Sequence, residues 1–565
     1  MRMLRLARGL VRPHFELLSA ALGALLLTAT AGGQETTRVS VDSSGVGGNG
    51  DSNLAAISAD GLIAAFQSNA NNLVAGDTNG TSDVFVHDRS TGLTQRVSVD
   101  SSGAEANGGS YSPASSADGQ VVAFGSDASN LVAGDTNGFG DVFIHDRSTG
   151  LTERVSVDSS GVQGNLFSAN ASISADGRIV TFQSNANNLV AVDTNGTSDI
   201  FVHDRSTGLT ERVSVDSLGS EGNSFSFFAA ISADGQIVAF LSNANNLVAS
   251  DTNVAYDVFV HDRSTGLTER VSVDSSGAEG NGSSGFYGPR ISADGQCVAF
   301  DSLASNLVSG DTNGLQDVFV HDRSIGLTER VSVDSSGAEA NSFSYYPALS
   351  AGGQIVAFVS WASDLVASDT NFTGDVFVHD RSTGLTQRVS VDSSGAEANG
   401  ASNWSAISAD GQIVAFDSGA GNLVAGDNGY IDVFVRERCD ASWSNYGVGW
   451  PGTLGVPSIV SNADPELGAT ITITISNSLG ASTTGLLFVG LAEANIPTNK
   501  DGTLLVLPLL WVPLPIPTAG AALIVTFPAD DSLCGLEVDL QVLEVDPGAS
   551  KDISFTPGLK LILGA

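Results

Sequence analysis

The chain predicts an all-β protein, a seven-bladed β-propeller closed by its own N-terminal strand over residues 36–438, followed by a small β-sandwich at 453–565. Three observations carry this. The pentapeptide "RVSVD" starts at Arg38 and recurs from Arg96, Arg154, Arg212, Arg270, Arg330 and Arg388, in steps of 58, 58, 58, 58, 60 and 58 residues. Each unit holds four short runs, apolar or alternating, bounded by turn residues, which is the pattern of strands rather than helices. The last unit stops one strand short, while "TTRVSVDSSG" from Thr36 is a strand with no partners before it.

In the first full unit the four runs are Leu54–Ser58, Leu62–Ser68, Asp83–Asp88 and Leu93–Asp100, here strands A, B, C and D. "SADG" between A and B, and "DRSTG" between C and D, place Gly or a hydrogen-bonding Asp or Ser where a tight hairpin requires one. Each unit is therefore a four-stranded antiparallel meander. Strand B is nearly all apolar and needs cover on both faces, so units must stack on one another. A linear stack needs polar capping repeats, and none of the copies has that character. Closure into a ring lets the strand at Thr36 complete the unit that ends at "DVFVRER" and leaves no orphan edge.

"ISADGQIVAFDS", followed by "DVFVHDRSTG" and "LTERVS", resembles the WD-like propeller repeat of the TolB type across about Thr36 to Arg438. The resemblance implies an exported binding scaffold. The 58-residue unit exceeds the ~40–45 residues of WD repeats, which puts the extra length in the D–A and B–C loops.

Composition narrows the partners. With 24 Lys+Arg against 62 Asp+Glu, net −38, the chain repels phosphate backbones, so nucleic acid is not expected. Arg2, Arg5, Arg8 and Arg12, an apolar stretch from Leu17 to Leu27 and the small residues Ala29-Thr30-Ala31 predict a cleaved signal peptide at 1–31. The mature chain is then secreted, periplasmic or on the cell surface; an uncleaved anchor is the alternative. No later apolar run is long enough to span a bilayer. Cys297 stands where other copies carry Ile or Val, and reads as a small buried hydrophobe. Cys439 and Cys534 are free to pair in an oxidising compartment. Residues 439–452 read as a linker, and a monomeric ring is expected.

Alternation of strand direction sends the D–A and B–C loops to one face of the ring and the two short turns to the other. On the loop face the copies differ at Leu54, Ser112, Asn170, Phe228, Gly288, Tyr346 and Trp404, three residues before the "IS" pair or its equivalent. Aromatic side chains at a channel mouth stack on sugars or anchor a peptide. Tyr111, Phe167, Phe228, Tyr287, Tyr346 and Trp404 are accordingly the candidate ligand-binding residues. The alternative is that they pack over sheet edges.

The B–C loops offer oxygen ligands at alternate positions with a turn between them, a pattern that suits calcium. The candidates are Asp77, Asn79 and Asp83; Asp135, Asn137 and Asp141; Asp193, Asn195 and Asp199; and Asp311, Asn313 and Asp317, with the like residues Asp251, Asn253, Asp257, Asp369, Asn371 and Asp375. The same residue types also build Asx turns with no ion. Six strand-C histidines (His87, His145, His203, His261, His321 and His379) point to six places around a ring and cannot converge, so they read as structural. The leading expectation is a non-enzymatic scaffold for a protein or glycan. Two others stand beside it: a calcium-stabilised surface component, and a polysaccharide hydrolase or lyase using Asp301, Asp417, Glu105, Glu279, Glu339 or Glu397.

Overall fold

The computed structural model describes residues 35–564 except 368, 439, 440, 466–468, 499–501, 528–532 and 534. The expected signal peptide, and both Cys439 and Cys534, lie outside the described residues. One compact unit consists of Thr36–Asp392 with Ala396–Arg438, and a second is C-terminal. No helix among the described residues is long and apolar enough to cross a membrane.

The repeats fold into seven four-stranded antiparallel sheets. In the first, Ser52–Ile57, Ile63–Ser68, Asp83–Asp88 and Leu93–Arg96 pair in chain order as A to D. Strand D is shorter than expected: after Arg96 the chain bends away, and Val99 makes a single bridge to Glu105. Alternation along strands B and C sends side chains to both faces, and each face is covered by a neighbouring sheet. Ile63, Ala65, Val84 and Val86 of the first sheet share a core with Val122, Phe124 and Phe143 of the second. Within a sheet the B and C phenylalanines stack, Phe66 on Phe85 at 6.1 Å, both with no exposed surface.

Closure is visible in three layers of structure. Thr36–Arg38 pairs with Asp432–Glu437 as the D strand of the seventh sheet, Thr37 opposite Val435. Val39, Phe66 and Phe85 share one core with Ala415, Val433 and Val435, which joins the first sheet to the seventh. Backbone bonds also run from sheet to sheet around the A–B turns: Ala59 N–H to Ala117 O, and so on until Ala409 N–H reaches Ala59 O at 2.9 Å. The N-terminal strand also delivers the repeat's side chains. Arg38 and Ser40 reach Asp432 at 3.1 and 2.6 Å, as Arg96 and Ser98 reach Asp83 at 3.4 and 2.6 Å.

In the C-terminal unit, Ile459–Ser461, Thr470–Ile475 and Ala521–Thr526 form a three-stranded sheet. Its Ile471, Ile473 and Leu523 share a core with Val489, Val538 and Leu559 of a six-stranded sheet. The stretch expected to be a linker instead supplies a strand, Ser442–Tyr446, paired with Gly558–Ile562. Its "SWSNY" alternates, and Trp443 packs against the apolar core, which is why it joins the sheet.

Candidate functional site

The A strands face a common channel with a cavity volume of about 300 Å3. Six of the seven A strands start on a serine bonded to strand B, as Ser52 bonds Ser68 at 2.8 Å, and then lose register for one or two residues. At that bulge stand the variable positions singled out from the sequence. Leu54, Ser112, Asn170, Phe228, Tyr346 and Trp404 all take left-handed φ between 41° and 55°, and Gly288 takes 85°. Bulky residues avoid this region, at a cost of ~1–3 kcal/mol each. The bulge turns their side chains towards the channel mouth, and the neighbouring sheet helps hold them there: Gln67 accepts Ser112 N–H at 3.1 Å and Gln183 accepts Phe228 N–H at 3.3 Å.

The mouth is not symmetric. The two extra residues of the fifth unit shorten its A strand to Arg290–Ile291, and Tyr287, with the exposed Phe286 packed edge-on against it, lines the channel. Asp301 holds this insertion, its carboxylate accepting Phe286 N–H and Tyr287 N–H at 3.1 Å each. A β-carbon at Gly288 would stand 2.8 Å from that of Phe228, so only glycine fits there. The Tyr287 ring lies 4.8 Å from Tyr345 and 4.4 Å from Tyr346, and Tyr346 lies 4.8 Å from Trp404. Arg290 closes this arc, its guanidinium 5.8 Å from the Trp404 ring. Sheets five to seven thus present a continuous aromatic surface, whereas sheets one to three offer Leu54, Ser112 and Asn170.

Of the six expected ligand-binding residues, Phe228, Tyr287 and Trp404 line the channel, and the Tyr346 ring packs at a tilt between those of Tyr287 and Trp404. Tyr111 and Phe167 do not. Both reach the space above Gly140 between neighbouring sheets, with the Tyr111 hydroxyl donating to Asp127 at 3.1 Å; there they pack over sheet edges. Arg290 was missed, although the sequence carried its signal: it replaces the alanine or serine that precedes "IS" in the other copies.

The acidic loops hold a cation already, an arginine. Arg96 Nη1 lies 3.7 Å from Asp77, 3.4 Å from Asp83 and 2.5 Å from Glu105. Asn79 donates its amide to Asp83 at 2.9 Å and accepts Thr81 N–H at 2.9 Å, an Asx turn that leaves its carbonyl oxygen engaged. The sets around Asp141, Asp199 and Asp317 repeat this through Asn137, Asn195 and Asn313, with Arg154 to Asp135, Arg212 to Asp193 and Arg330 to Asp311. Burial, then the neighbouring Asp83, pushes Asp77 up to about 6. Hydrogen bonds from Thr312 hold Glu339 down at about 2. Three carboxylates still approach within 4.8 Å at Asp77, Asp83 and Glu105, and again at Asp369, Asp375 and Glu397.

The remaining candidate acids do not face the channel. Glu105, Glu279, Glu339 and Glu397 pair with strand-D arginines of their own sheets at 2.5 to 2.9 Å. Asp301 and Asp417 are buried at the ends of strand B, outside the channel lining. Burial pushes Asp301 up to about 6 and Asp417 up to about 8; among the described residues Asp417 Oδ1 has no hydrogen-bond partner. The histidines are structural: His203 Nδ1 meets Thr210 Oγ1 at 2.9 Å, which donates to Val157 O of the preceding unit at 2.6 Å. Burial lowers His203 below its ordinary value.

No protein-family model matches the chain, and no curated protein matches it. Among solved structures, a TolB protein of Agrobacterium tumefaciens is similar at 16% identity and TM-score 0.32, over 52% of this chain and 83% of that one. The WD40 repeats of RRP9 are similar at 10% identity and TM-score 0.35, over 73% and 99%. A xyloglucanase of Xanthomonas campestris is similar at 10% identity and TM-score 0.36, over 78% and 59%.

Proposed function

We propose that the ring is a non-enzymatic binding scaffold, exported from the cytoplasm, that takes a glycan or protein ligand at the channel mouth on its loop face. The observation that supports it is the arc of Tyr287, Tyr345, Tyr346 and Trp404, set on backbone that is strained at two of its four residues. Strain of this kind costs stability and is kept where a site needs it. Glycoside hydrolysis needs two carboxyl groups across one bond, ~5–10 Å apart, whereas the six candidate carboxylates are buried outside the channel or paired with arginine. The basic start and short apolar stretch of residues 1–31 support export. A glycan array probed with the full chain and with a Tyr346→Ala, Trp404→Ala double variant tests the reading. Binding that the double variant loses, with Tm unchanged, is expected; binding that survives removes the mouth as the site.

Calcium is a second reading, favoured by the two three-carboxylate groups at Asp77 and at Asp369. As arranged, their oxygens are spent on arginine, asparagine and threonine, so an ion would have to displace a guanidinium. Thermal melting with and without chelator separates the readings: a Tm that stays put removes calcium, and a fall of several degrees supports it.

A further inference from the structure

One residue past the bulge, six A strands place a small side chain on the channel wall. Ala56, Ala114, Ser172, Ala230, Ala348 and Ala406 each pair with the middle of strand B. In the fifth sheet the same register position, opposite Ala299, is Arg290. Among the described residues it is the only charged side chain on the wall of the channel.

Its charge is poorly compensated. The guanidinium gives one hydrogen bond, to the Pro289 carbonyl at 2.9 Å, and no ion pair joins it to a carboxylate among the described residues. Asp301, whose charge reaches it, spends its own oxygens on Phe286 and Tyr287 N–H and on the Gln316 amide. Burial pulls Arg290 below its ordinary value, and Asp301 and Tyr346 only oppose this. A half-buried cation on the wall of a cavity, in a net −38 chain, is stabilised by an incoming anion.

We propose that Arg290 receives the carboxylate of an acidic saccharide, a hexuronic acid residue whose ring stacks on the aromatic arc. This rests on the reading of the mouth as a binding site. The guanidinium fork matches a planar carboxylate through two parallel N–H···O bonds, and the Trp404 ring beside it, 5.8 Å from the guanidinium, suits the face of a sugar. A cavity of about 300 Å3 admits a terminal sugar and not a folded surface. The acidic exterior repels polyanions, so a single acid group at a chain end is what enters. A peptide would pair with a free strand edge, and the bulges break that edge at the mouth.

The test is titration calorimetry on the full chain with a disaccharide ending in glucuronic acid and the same disaccharide ending in glucose. The acid is expected to bind at least about tenfold more tightly. Arg290→Ala, which installs the residue most other sheets carry, is expected to erase that preference and leave Tm unchanged. If Arg290→Ala keeps the preference, or the two sugars bind alike while Trp404→Ala loses both, the carboxylate assignment falls and the mouth reading stands. If Trp404→Ala leaves binding of the acid intact, the mouth reading itself falls. If neither sugar binds but a peptide with a free C-terminal carboxylate does, and needs Arg290, the sugar class is overturned.

Discussion

The two faces of the ring are built from one 58-residue unit and have been put to different uses. On the turn face the sheets repeat one pattern of contacts, with Gln95 in place of a glutamate for Arg147. The arginine of "DRSTG" donates to the glycine carbonyl of its own "SADG", from Arg89 to Gly61 at 2.8 Å round to Arg438 and Gly411 at 2.8 Å. It also reaches the sheet before it, Arg263 to Glu211 and Arg323 to Glu269 at 2.5 Å each. At the mouth on the loop face no two sheets are alike. A side chain on the turn face answers only to its nearest neighbours, so one solution serves all copies. Side chains at the mouth share an axis, where each copy can contribute a different group to one ligand.

The largest effect comes from breaking the uniform part at its closure. Deleting residues 36–41 removes the seventh D strand and both partners of Asp432, and the ring is expected to lose its cooperative melting transition. A single buried node comes next. Asp83 is fully buried between Ser98, Arg96 and Asn79, and Asp83→Ala is expected to cost about 3–5 kcal/mol in urea denaturation, with little effect on the mouth.

Asp417 sharpens the contrast through pH. Its folded pKa of about 8 exceeds the ordinary 3.8, so the native state holds a proton that the unfolded chain releases. That contribution to stability is complete below about pH 4 and is lost as pH rises towards 8, by at most ~1.4 kcal/mol per pH unit. Asp417→Asn is expected to match the parent in Tm at pH 4 and exceed it at pH 9. The smallest effect tests strain at the mouth directly: Ser112→Gly removes a non-glycine residue at φ 52° and is expected to gain about 0.5–1 kcal/mol, whereas Ser112→Val is expected to lose stability.

The period, the strands and the closure were legible because each rests on local chemistry, such as turn glycines, alternation and a strand without partners. The acidic loops misled because Asp77, Asn79 and Asp83 have a calcium-like spacing in sequence, while the arginine among them comes from strand D, 19 residues after Asp77. The bulge was legible only as variability: left-handed φ leaves no mark when the residue there is Trp404 or Phe228 instead of glycine. The linker misread at 439–452 had another cause, since the partner of Ser442–Tyr446 lies more than a hundred residues away. Arg290 could have been found by asking which copy breaks a column of small residues.

The central claim is that ligand binds at the asymmetric mouth, and the five tryptophans report on it. Trp404 and Trp361 lie in the ring, and Trp443, Trp450 and Trp511 in the C-terminal unit. Fluorine NMR of the full chain labelled with 5-fluorotryptophan, titrated with the best ligand from the array, follows each one separately. A shift of the Trp404 resonance, with the three C-terminal signals unmoved, is the result predicted; shifts confined to Trp443, Trp450 or Trp511 would contradict it.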